Sequence, residues 1–99
     1  MFNQLTAKEI ELLGATLEEC GEVVQECGKT LRHGLESYRP TDPNRATNRE
    51  KLISELADVV AMVELLEEHG ILDLWNFEEL KAKKKDRFYQ YAHHINDLN

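Results

Sequence analysis

Residues 6–34, TAKEIELLGATLEECGEVVQECGKTLRHG, decide the fold of this 99-residue chain. They open on Thr6-Ala-Lys-Glu9, in which the threonine side chain can cap the backbone N–H of the glutamate and the glutamate can cap the threonine in return. Behind that cap, Ile10, Leu13, Leu17, Val24 and Leu31 recur at helical steps, with Cys20 and Cys27 beside them. The spacing predicts one long helix to about Arg32, ended by Gly34. The apolar row predicts the seam along which that helix packs on a second one. Gly14, Gly21 and Gly28 repeat at intervals of seven in the same helix. Each costs about 1 kcal/mol against alanine in a helix interior, so the stripe points to close approach of another helix, with chance as the alternative.

A second capping box, Thr47-Asn-Arg-Glu50, opens a helix carrying Leu52, Ile53, Leu56, Val59, Val60, Val63 and Leu66 and stopping at Gly70. An apolar link from Ile71 to Trp75 leads to a third cap pattern, Asn76-Phe-Glu-Glu79. The last helix runs through Leu80, Phe88, Tyr91 and Ile95, with Lys81, Lys83, Lys84, Lys85 and Arg87 on its exposed side. Between the long helices, residues 34–46 hold both prolines, Pro40 and Pro43, with Ser37, Asp42 and Asn44 and no apolar period. A loop of that length in a small domain points to a functional role. No strand pattern or internal repeat competes. The fold expected is all-α: a single domain over residues 1–99, a helical bundle built on two long antiparallel helices plus a C-terminal helix. Completion by oligomerisation is expected too, because a chain this short buries only about 60–65% of its unfolded surface.

Composition narrows the function. Lys and Arg number 12 against 19 Asp and Glu, giving a net charge of −7 and a pI near 5.0. That surplus argues against a protein that grips nucleic-acid polymers through their phosphates. Hydrophobic residues at 41% are enough for a core, so the charge does not signal disorder. No apolar run approaches the ~20 residues of a membrane span, and the N-terminal residues lack the pattern of a secretory signal. Cys20 and Cys27, seven apart on one helix, would stand about 10.5 Å apart, beyond the ~7 Å reach of a disulfide. They are expected to be reduced and half-buried in a cytoplasmic protein, and they make a poor zinc site.

The acids are clustered. Glu18, Glu19 and Glu22 lie within five residues, with no Lys or Arg between Glu9 and Lys29 to offset their repulsion. Glu55 and Asp58, one turn apart, sit in the most apolar stretch of the chain. An acidic solvent-facing edge is the plain alternative for either group alone. Flanking the two packing seams, however, the groups can meet across the groove. Converging carboxylates need cations, and all-oxygen ligation suits Mg²⁺ or Mn²⁺ rather than zinc. A di-iron bundle would need Glu-x-x-His, which this chain lacks. The row through Glu18, Glu22 and Gln25 continues to Lys29, with Arg32 and His33 following. An acidic metal site followed by a basic end suits a metal-bound polyphosphate. Favourable interaction of Lys29 and Arg32 with the helix C-terminus explains them equally well.

Glu18-Glu19-Cys-Gly-Glu22-Val-Val, followed by Ser-Glu55-Leu-Ala-Asp58-Val-Val, resembles the Glu-Glu-x-x-Glu … Glu-x-x-Asp signature of the all-α nucleoside triphosphate pyrophosphohydrolases. Within them it is most similar to the MazG-like branch, especially the short forms of bacteriophages and bacteria. The likeness runs from about Leu5 to Gly70, and Lys84-Lys-Asp-Arg87-Phe more weakly resembles the basic segment that often follows. It implies hydrolysis of a nucleoside or deoxynucleoside triphosphate to the monophosphate and pyrophosphate, in control of nucleotide pools. By position, Glu18, Glu19, Glu22, Glu55 and Asp58 would hold two or three Mg²⁺ ions, with Mn²⁺ a substitute. One of Glu18, Glu19 and Glu22 would orient or deprotonate the attacking water. Family members work as homodimers or homotetramers.

The stretch between Glu22 and Glu55 is longer than in compact members of that family, and the loop at 34–46 is the extra length. It is expected to border the nucleotide pocket, where Tyr38 and Arg39 join Lys29, Arg32, Lys84 and Arg87 as substrate contacts. A phosphoribosyl-ATP pyrophosphohydrolase is the alternative within the superfamily, and a non-enzymatic helical interaction module the alternative outside it. Without the five proposed ligands, twelve bases would face fourteen acids. The negative charge is therefore largely one carboxylate cluster, and bound divalent cations would invert its field.

Overall fold

Thr6 and Thr47 start the two long helices in the same way. In the computed structural model, which describes residues 3–98, Thr6 Oγ1 accepts from Glu9 N at 3.1 Å and Glu9 Oε1 accepts from Thr6 N at 2.8 Å. Met1, Phe2 and Asn99, the ends of the domain read from the sequence as 1–99, lie outside the described residues. Helix α1 follows over Ala7–His33 and closes on Gly34, whose N–H reaches Thr30 O at 2.8 Å. Gly34 takes φ +88°, a left-handed conformation that a side chain would strain.

Helix α2, Asn48–Glu68, begins with all four N-terminal amides satisfied. Thr47 N and Glu50 N exchange bonds with each other's side chains in a capping box. Asn48 N and Arg49 N donate to the loop carbonyls of Ser37 and Leu35, both at 2.9 Å. The loop is thereby laced onto the start of α2, with a single antiparallel bridge between Tyr38 and Thr47. Asp42 ties its far end, accepting from Asn44 N at 2.9 Å and Ala46 N at 3.3 Å. At its other end α2 stops at Gly70 (φ +72°), where Ile71 N and Gly70 N bond back to Leu66 O and Glu67 O in a Schellman arrangement.

Helix α3, Phe77–Tyr91, begins after Asn76, whose side chain makes no cap bond, unlike the two threonines. It ends before Ile95, four residues short of the expected extent. The described residues are all-helical, and α1 packs against α2, while α3 packs on neither. The Cα radius of gyration is accordingly 17.2 Å, against about 13 Å for a compact domain of this length. Among the described residues, no helix is long and apolar enough to cross a membrane.

The seam between α1 and α2 is not the one the sequence suggests. The covered positions of α1 are Glu9, Leu12, Ala15, Thr16, Glu19, Val23, Glu26, Gly28, Lys29 and Thr30; those of α2 include Asn48, Leu52, Glu55, Val59, Met62 and Leu66. Among the described residues, Leu66, at 3% exposure, and Met62 are the buried apolar ones. Ile10, Leu13, Leu17, Val24 and Leu31 face outward, Leu17 at 75% and Leu31 at 89% exposure. Ile53, Leu56 and Val60 of α2 are exposed as well. Each long helix thus carries two apolar stripes, and a single chain offers a neighbour to only one of them. Nothing lies within 4 Å of where a Cβ on Gly14 or Gly21 would stand, and one on Gly28 would meet only Arg32 Nη1 of the same helix at 3.5 Å, so among the described residues no second helix comes close to the glycine stripe. Cys20 and Cys27 are unpaired as expected, but exposed rather than half-buried.

Candidate metal centre

Because the seam runs through positions 19 and 26 of α1 and 55 of α2, carboxylates are drawn between the helices. Glu19, Glu55 and Asp58 each bring an oxygen to within 4.8 Å of the others. Glu19 and Glu55 are partly covered and Asp58 is exposed, so the group opens to solvent at one side. Partial loss of hydration is the first cause that lifts the Glu19 carboxyl above its ordinary value of 4.5, followed by the charges of Asp58, Glu55, Glu22 and Glu18. Glu55 is lifted for the same first reason, then by Glu22, Asp58 and Glu26, with Lys29 pulling it back. Three oxygen donors of one charge at this separation repel one another, and a hard divalent cation is the chemical partner they fit.

The other two acids expected in the set, Glu18 and Glu22, are exposed and stand outside that group. They line an open depression of about 430 Å³ with Glu19, Gly21 and Gln25. Glu19 belongs to both, and Glu22 stands near enough to α2 for its charge to act on Glu55.

Four of the expected substrate contacts meet in one place. Lys29 and Arg32 from the end of α1, and Tyr38 and Arg39 from the loop, line a cavity of about 430 Å³. His33, Ser37, Pro40, Asn48 and Lys51 complete its wall. It adjoins the acidic group, since Lys51 lies four residues, about 6 Å along the axis, before Glu55 on α2. The loop is held in place by the amide bonds to α2 and by the Arg45 guanidinium, 5.9 Å over the Tyr38 ring. Lys84 and Arg87 are not brought to this site. They lie on α3, around a separate cavity of about 650 Å³ with Phe88 and Tyr91.

Two residues at the site were missed in the sequence. Glu26 is the most buried charged group, at 5% exposure, with Oε1 3.1 Å from Lys29 Nζ and Oε2 without a hydrogen-bond partner. Its position seven residues after Glu19 is the signal that places it on the same seam. Asn48 is buried beneath the pocket, its Nδ2 donating to Gly34 O at 3.0 Å. As the first residue after a cap it carries no distinguishing sequence signal.

Comparison with protein-family models, with curated proteins and with solved structures returns no match for this chain.

Proposed function

We propose that this chain is a Mg²⁺-dependent nucleoside triphosphate pyrophosphohydrolase of the MazG-like kind, splitting a ribo- or deoxyribonucleoside triphosphate into the monophosphate and pyrophosphate. The observation that carries the reading is the junction of Glu19, Glu55 and Asp58 with a basic cavity lined by Lys29, Arg32, Arg39 and Lys51. An acidic oxygen cage beside a cationic pocket matches a phosphate chain that arrives with its metal. The buried oxygen of Glu26, with no partner in the protein, supports a cationic or hydrogen-donating ligand in this part of the seam.

Glu19, Glu55 and Asp58 would hold the cation, and Glu18 and Glu22, on the same helix as Glu19, would complete the ligand set. Mg²⁺ or Mn²⁺ held there would supply neutralisation of the anhydride and a lowered pKa of water at the site. One of Glu18, Glu19 and Glu22 orients the attacking water and takes its proton. The water oxygen bonds to the α-phosphorus as the bond from that phosphorus to the bridging oxygen breaks, and pyrophosphate leaves with the electron pair. Lys29, Arg32 and Arg39 stabilise the charge that collects on the leaving group. Tyr38, held under Arg45, forms a flat wall for the nucleoside.

A homodimer or homotetramer completes the fold in this reading. The outward stripe of Ile10, Leu17, Val24 and Leu31 repeats every seven residues beside three glycines, the pattern of a helix that takes a second helix at short range. Lys84 and Arg87 reach a triphosphate only if α3 of one copy lies over the site of another.

The test is a panel of the eight common ribo- and deoxyribonucleoside triphosphates with Mg²⁺, assayed for pyrophosphate and repeated with EDTA. Release that EDTA abolishes supports the reading. Activity confined to phosphoribosyl-ATP would assign the alternative reaction, and no release from any substrate would favour a helical interaction module.

A further inference from the structure

Glu26 is an unusual residue for a structural seam. A buried carboxylate is costly unless both oxygens are satisfied, and only one is. Glu26 lies on the same seam as Glu55, whose carboxyl is pushed up first by loss of hydration, then by the charges of Glu22 and Asp58, and then by that of Glu26. Lys29, its one ionic partner, is itself about one-third exposed, so the pair gives little back for the burial. An apolar side chain at this position would pack the two helices better. The arrangement makes sense if Oε2 acquires a partner when the site is loaded. Mg²⁺ and Mn²⁺ keep several waters when held by a few carboxylates, and carboxylates behind the ligands accept from such groups.

We infer that Glu26 is a positioning residue of the metal centre: Oε2 accepts a hydrogen bond from water on the cation held by Glu19, Glu55 and Asp58, while Oε1 fixes Lys29 at the mouth of the basic cavity. One side chain then ties the position of the metal to that of the phosphate-binding cation. The inference rests on the metal-centre reading of the three acids.

It is tested by calorimetric titration of the full chain with Mn²⁺ in the absence of nucleotide, together with thermal melts of the metal-free protein. Glu26→Gln should bind Mn²⁺ about 10- to 100-fold more weakly, as loss of an outer partner does elsewhere, with the number of ions unchanged. Metal-free, the same variant should melt no lower than wild type, because it loses a buried charge on the same seam as Glu55. Lys29→Met breaks the ion pair from the other side and should keep or tighten Mn²⁺ binding. Unchanged Mn²⁺ affinity in Glu26→Gln would overturn the inference and leave the Glu26–Lys29 pair as a structural contact. If the wild type binds no Mn²⁺, the metal-centre reading fails first and this inference falls with it.

Discussion

Asn48 Nδ2 donates to the carbonyl oxygen of Gly34 across 3.0 Å, joining the first turn of α2 to the end of α1. Asn48 is 7% exposed, and the bond fixes where the helices meet and so which residues of each face the other. Asn48→Ala leaves the Gly34 carbonyl without this donor at a covered position. A loss of about 1–3 kcal/mol is expected, read as a shift of the urea midpoint with little change in slope.

The acidic group makes the metal-free protein sensitive to pH in a defined direction. Glu19 and Glu55 take up protons more readily folded than unfolded, because their pKa values are raised above 4.5. Their contribution therefore favours folding as pH falls toward 4.5 and opposes it once pH rises above the raised values. Glu9, lowered by its bonds to Thr6, acts oppositely, supporting the fold above 4.5 and losing that support below it. The melting temperature of the EDTA-treated protein should rise from pH 7 to about pH 5. In Glu19→Gln and Glu55→Gln that rise should shrink, and added Mn²⁺ should raise the melting temperature most at pH 7.

Leu17 and Val24 sit on the outward stripe, exposed in the single chain. A Leu17→Glu change should leave helix content by circular dichroism unaltered. In sedimentation equilibrium it should move the protein from an oligomer toward a mass of 11.5 kDa. An unchanged mass distribution would remove this stripe from the subunit interface.

Lys29 and Arg39 enter the basic cavity from different elements, one from α1 and one from the loop. Replacing either with alanine should raise KM for the triphosphate about 10-fold or more, the size of a lost hydrogen bond to a charged group. The Mn²⁺ affinity of the free protein should be retained in Arg39→Ala, which separates phosphate binding from metal binding.

The elements were legible because local chemistry sets them: Thr6-x-x-Glu9 and Thr47-x-x-Glu50 form the boxes their spacing implies. The meeting of Glu19 with Glu55 and Asp58 was legible for a related reason, since carboxylates one turn apart beside apolar residues can be placed on a helix edge without tertiary information. The choice of seam was not. Ile10, Leu17, Val24 and Leu31 form the stronger apolar row of α1, yet α2 covers Leu12, Val23 and Glu26 instead. Periodicity ranks the stripes of one helix, whereas the Gly34–Asn48 connection determines which of them a following helix reaches. Glu26 was passed over for the same reason, because it lies off the strong row. The remoteness of Lys84 and Arg87 depends on how α3 leaves Gly70, which no helical pattern encodes.

The central claim is that Glu19 and Glu55 hold the metal that drives release of pyrophosphate. The most direct measurement is the Mg²⁺-dependent rate of pyrophosphate release from the best triphosphate by wild type, Glu19→Gln and Glu55→Gln. The expected result is a fall of about two orders of magnitude or more in each variant, with the wild-type rate abolished by EDTA. Rates unchanged in both variants would contradict the assignment.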